Sequence, residues 1–348
     1  MFQPDYTHIV DAASNRAAKR LPLYEHVINE DFIERVLGEP FSTYNDGTYE
    51  GACAYLTAYC RFYREMGYDT VSYERCIGPS MPGSGSLGGH KDGVIKTRAD
   101  FEKYPWAEIP DLYFEQNTRW FRALAAAMPA GMKGIGGVGN GIFECVQDIV
   151  GYMDLCYIRE DDPALYADLF RKVGETNLAI WRRFLDMFGD VFCVVRFGDD
   201  LGFKSATLLP EEDVRAHVIT AYKPIINEVH AHGKRFLLHS CGNIFGVMDD
   251  LIAAGIDAKH SNEDIIAPFT EWVNRYGNKI GNFGGIDASE LCLLDEKGVT
   301  QYVTDVLRAC EGHGGIAFST GNSVPGYIPT ENYLAMIQAV RTYRGDFK

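Results

Sequence analysis

The chain carries no surplus of positive charge, no long apolar run and no recognisable cysteine pairing. Lys and Arg total 33 against 48 Asp and Glu, a formal charge of −15, and this disfavours binding to nucleic acid or to an anionic membrane. The opening MFQPDYTHIVDAASNR has neither the basic start nor the apolar core of a signal peptide. No stretch approaches the roughly 20 apolar residues that span a bilayer, so a cytoplasmic location is expected. The nine cysteines are irregularly spaced with no CxxC pair, which argues against a disulfide framework and makes most of them small buried hydrophobes. A GxGxxG fingerprint after the first strand and a P-loop Lys-Ser/Thr pair are also missing, which argues against a dinucleotide-binding sheet and a P-loop phosphate cradle.

What remains is the composition of a folded body with a large core: 46% hydrophobic and 23% charged residues over 348 positions. That length suits one α/β barrel unit spanning 1–348. Short apolar runs ending in polar or glycine clusters recur at 67–74, 133–144, 191–200, 234–242, 256–263, 279–287 and 315–323. Longer amphipathic stretches lie between them, such as 210–233, with Pro210 expected in its first turn and Gly233 as its stop. Seven strand-to-helix units predict a (β/α)8 barrel. The eighth strand is not evident, and residues 1–50 are expected to form a helical extension. The glycine-rich 78–90 segment after the first strand is expected to be a loop over the barrel mouth.

Barrel enzymes hold their reactive groups at the C-terminal ends of the strands. Those positions here are Tyr73 and Glu74, Asn140 and Glu144, Asp199 and Asp200, His239 and Cys241, His260 and Glu263, Asp287, and Asn322 and Ser323. In His239-Ser240-Cys241 the alternation of a strand aims imidazole and thiol to one side, and both donors suit zinc. A catalytic zinc needs a third protein ligand. Glu263 is the preferred candidate, with Asp199, Asp200, His260 and Asn322 as alternatives. Of the adjacent acids Asp199 and Asp200, one is expected to hold a substrate group or donate a proton while the other caps a turn. Tyr73, Asn140, Glu144 and Asn322 are expected to line the substrate cavity.

Several blocks carry a family likeness: RLPLYEHV (20–27), DDLGFKSATLLPEEDVRAHV (199–218), HGKRFLLHSCGNI (232–244), GGIDASEL (284–291) and GNSVPGYIPTENYLAMIQAVR (321–341). Over most of its length the chain resembles the uroporphyrinogen decarboxylase superfamily, which implies a (β/α)8 barrel. That superfamily contains metal-free decarboxylases and zinc-dependent methyltransferases that exchange methyl groups with a corrinoid protein. The arginine-rich N-terminal signature of the decarboxylases has no match near SNRAAKRLPLYE, whereas His239 and Cys241 match the H-x-C motif of the methyltransferases. The third cysteine usual in thiol-directed members falls where this chain has Gly321-Asn322. The resemblance therefore implies a mixed His/Cys/carboxylate zinc site and a methylated ether or amine as donor, with a corrinoid-carrying protein as partner. Its alternatives are a metal-free decarboxylase, in which Asp199 or Asp200 holds pyrrole NH groups, and a non-catalytic tetrapyrrole- or corrinoid-binding barrel.

Overall fold

A strand such as Phe192–Gly198, buried at every position, is satisfied only in a sheet covered on both faces. The computed structural model describes residues 2–89 and 91–347, and it contains one such sheet. Seven strands run in chain order: β1 (Thr70–Cys76), β2 (Lys133–Gly139), β3 (Phe192–Gly198), β4 (Arg235–His239), β5 (Ala258–His260), β6 (Gly281–Ile286) and β7 (Ile316–Thr320). Every neighbouring pair is parallel. Each falls within an apolar run read from the sequence, except that β1 extends two residues past its run. Long helices such as Pro163–Phe188 and Glu296–Ala309 return the chain between strands. Among the described residues no helix is long and apolar enough to cross a membrane.

The N-terminal extension needs correction. It contains the expected helices, Thr7–Ala13 and Glu30–Leu37, but the segment between them takes the eighth place around the barrel. Leu23 bridges Phe318 and Ile28 bridges Val324, both parallel. Tyr24 N donates to Phe318 O at 2.9 Å, and Phe318 N donates to Pro22 O at 3.0 Å. On its other side, Ser72 Oγ of β1 donates to His26 O at 2.7 Å. The segment thus joins β7 to β1 with few ladder bonds.

Helix Thr7–Ala13 closes the N-terminal end. Its Ile9, Ala12 and Ala13 pack with Ile135, Val194, Leu237, Ala258, Phe283 and Ala317, which point inward from the early parts of the strands. Above this apolar floor sits a buried polar layer. The Arg196 guanidinium donates to Glu74 Oε2 at 2.6 Å and, through Nη1, to Tyr24 OH and Ser72 Oγ, both at 2.8 Å. The mouth lies above that layer.

The run expected at 210–233 is one helical passage from Glu211 to Ala231 with a π-helical turn over Val214–Ile219. Pro210 lies just outside it with ψ 139°, as its cap rather than in its first turn, and Gly233, at φ +69°, follows its end. The loop expected over the mouth is held down by Asp148, whose Oδ1 accepts from Gly85 N at 2.8 Å and Leu87 N at 2.9 Å. His90, read from the sequence as a loop residue, lies outside the described residues.

Candidate metal centre

Strand alternation places His239 and Cys241 on the inner side of the barrel, as their spacing predicts. His239 Nε2 lies 3.4 Å from Cys241 Sγ and 3.7 Å from Asp200 Oδ1. Asp200 is held there by the backbone amide of Cys241, which donates to Oδ1 at 2.9 Å. Donor atoms of Asp200, His239 and Cys241 all lie within 4.8 Å of one another. Gly242 makes the turn possible: it adopts φ +82°, and a Cβ there would sit 2.1 Å from the Gly202 carbonyl carbon. Only glycine lets the two loops approach this closely.

Glu263 lies outside this group. A carboxylate within reach of His239 and Cys241 is that of Asp200, at the end of β3, one of the alternatives to Glu263. Asn322, in the position that the family likeness associates with a third cysteine, directs its Nδ2 to Cys241 Sγ at 3.4 Å. Ser261 Oγ is 3.7 Å from the same sulfur.

The two acids separate by role. Asp199 is fully buried, and its oxygens accept from Phe143 N at 3.0 Å, Glu144 N at 2.8 Å and Tyr222 OH at 2.5 Å. It thereby caps the helix Ile142–Val150, in line with the preference of helix N-termini for negative charge. Burial pushes its carboxyl up to about 6, against the pull of those hydrogen bonds. Asp200 keeps 45% of its side chain exposed. Glu144 accepts from Asn140 Nδ2 at 2.8 Å and Asp200 N at 3.2 Å. Burial, reinforced by the charges of Asp199 and Asp200, drives its carboxyl well above the usual range.

Tyr73 faces the other way. It is buried against Tyr59 and Phe121, between β1 and its covering helices, while Glu74 turns inward. The register of β1 sets this, since neighbouring residues point to opposite faces. Asp287 is a cap, accepting from Ser289 N and Asp264 N.

Sequence reading missed His26, which the closing segment brings to the mouth. Its ring stacks on His239 with centroids 3.7 Å apart and planes 3° apart. The available signal was the Tyr24-x-His26 alternation, the same spacing as His239-x-Cys241. His260 joins from β5, with Nδ1 2.7 Å from His239 Nδ1. Burial first, then the neighbouring positive charges, keep these imidazoles neutral: His239 falls well below its usual value and His260 falls to about 3.

These donors fit a divalent ion. Neutral imidazole, thiolate and carboxylate are the ligand types zinc takes. Burial and the negative charge of Asp200 push the Cys241 thiol up, a penalty that a bound cation would reverse. A surface cavity of about 970 Å³ runs between helices Glu296–Ala309 and Thr330–Tyr343, and none of Asp200, His239 and Cys241 lines it.

Fold and cluster together define a parallel α/β barrel with a metal-capable mouth. The chain belongs to the uroporphyrinogen decarboxylase family: the profile described as uroporphyrinogen decarboxylase (URO-D) matches residues 91–343. Among solved structures, it is similar to a methyltransferase from Methanosarcina mazei, at 14% identity and a TM-score of 0.72, over 97% of this chain and 98% of that one. It is also similar to a B12-independent methionine synthase from Shewanella sp. W3-18-1, at 13% identity and a TM-score of 0.51, over 85% and 88% of the two chains. No curated protein matches the sequence.

Proposed function

We propose that this chain is a zinc-dependent methyltransferase. In this reading it moves a methyl group between a small methylated ether or amine and a corrinoid carried by a partner protein. The observation that carries the reading is the convergence of Asp200, His239 and Cys241 at the mouth of a family barrel. Likeness to the Methanosarcina mazei methyltransferase over nearly the whole chain supports it. The decarboxylase alternative calls for free cationic groups in the cavity, yet Arg196 is committed to Glu74, Tyr24 and Ser72.

His239, Cys241 and Asp200 would hold the metal. Zinc bound there supplies Lewis acidity toward the heteroatom that loses the methyl group. Glu144, whose carboxyl is pushed well above the usual range, stands beside Asp200 as the group we assign to give that heteroatom a proton. Asp199 acts through others, anchoring the backbone of Phe143 and Glu144.

The mouth also suits a large partner. Among the described residues, the six most exposed large apolar side chains are Met153, Tyr157, Phe203, Ile265, Leu293 and Tyr327, at 61–77% exposure. All six lie between a strand C-terminus and the long helix that follows it. We assign that side of the barrel as the one a partner protein would cover.

The test is a methyl-transfer assay with zinc-loaded protein, cob(I)alamin and a panel of methyl ethers and methylamines, following loss of the cob(I)alamin absorbance. Donor-dependent transfer, abolished in His239→Ala and Cys241→Ala, is the expected result. Donor-dependent transfer that survives in both variants would overturn the reading.

A further inference from the structure

Three imidazoles meet at the mouth, and their hydrogen bonds determine which nitrogen carries which proton. His260 Nε2 lies 3.0 Å from the carbonyl oxygen of Thr320. A carbonyl only accepts, so that nitrogen bears the hydrogen. His260 Nδ1 and His239 Nδ1 are 2.7 Å apart, with one hydrogen between them. If it belonged to His260, that fully buried ring would hold two hydrogens and a charge with no carboxylate bonded to it, a costly arrangement. The hydrogen therefore belongs to His239 Nδ1. Neutral His239 then keeps the lone pair of Nε2, the atom 3.4 Å from Cys241 Sγ.

We infer that His260 is a positioning residue, which fixes the tautomer of His239 so that Nε2 faces Cys241 and Asp200. The consequence for metal binding rests on the zinc reading above; the orientation itself does not. The same bond explains the second donor group, in which His26, His239 and His260 also lie within 4.8 Å of one another. In that trio the Nδ1 atoms of His239 and His260 are paired with each other. Ligating imidazoles commonly donate their other N–H to a fixed acceptor, and loss of such an acceptor costs about 10–100-fold in metal affinity.

The test combines two measurements on the full chain, made for the native protein, His260→Ala and His260→Asn. Nitrogen NMR of labelled imidazoles in metal-free protein reads the tautomers, and chelator competition reads zinc affinity. Asn offers an acceptor close to the place of the His Nδ1. The native protein should carry hydrogen on His239 Nδ1 and His260 Nε2. His260→Ala should lose the His239 preference and bind zinc about 10–100-fold more weakly, and His260→Asn should recover most of both. If the alanine variant does not fold, the native tautomer and the asparagine variant decide. Hydrogen on Nε2 of native His239 overturns the inference, as does a folded alanine variant with native tautomer and affinity. The expected tautomers in a native chain that binds no zinc uphold the orientation and remove the metal reading.

Discussion

Adjacent side chains at a strand end point to opposite sides, and Asp199 and Asp200 divide accordingly. Asp199 accepts from two backbone amides and a tyrosine hydroxyl in a fully buried pocket. Asp199→Ala leaves those donors unpaired and should cost about 2–3 kcal/mol in denaturant unfolding, whereas Asp200→Ala should change stability little and zinc affinity greatly. Equal destabilisation by both, with equal zinc affinity, would contradict the division. That one of the two acids acts as a cap was legible in the sequence; which one was not, because it depends on where the N-terminus of the helix Ile142–Val150 sits. That His239 and Cys241 meet on one side was legible because strand periodicity is local. Which carboxylate stands beside them was not, since Asp200 and Glu263 follow different strands and only the tertiary structure separates them.

The segment 22–28 is the element that sequence periodicity could not identify. It holds a proline, bonds along only part of its length and lies between two helices, so it lacks the apolar run of a central strand. It nonetheless carries Tyr24 to Arg196, His26 to His239 and Glu25 to Thr320. Glu25 accepts from Thr320 N at 3.1 Å and Thr320 Oγ1 at 2.6 Å while fully buried. Burial pushes its carboxyl up to about 8 from an ordinary 4.5, against the lowering effect of those bonds. The folded chain thus keeps a proton that the unfolded chain releases, so this contribution to stability is fully present below the unfolded value and is lost as pH rises toward 8. Unfolding midpoints measured from pH 5 to 8 should fall more steeply for the native chain than for Glu25→Gln. Parallel profiles would show that Glu25 is ionised throughout.

At the scale of the whole molecule, all seven central strands were readable because each is a short apolar run ending in a polar cluster. The exposed apolar side chains on the strand C-terminal side were not, since exposure of a lone Leu or Tyr is decided by neighbours distant in sequence. If that side receives the corrinoid-carrying protein, Leu293→Glu with Tyr327→Glu should raise the KM for that protein several-fold. The rate with free cob(I)alamin and the zinc content should stay unchanged. An unaltered KM would place docking elsewhere. The transfer and docking readings depend on whether the mouth holds a metal, and elemental analysis of purified protein answers that most directly. The account predicts about one zinc per chain, three protein ligands leaving a position open for substrate, with the zinc lost in both His239→Ala and Cys241→Ala. A native chain that takes up no zinc even after incubation with the ion would contradict it.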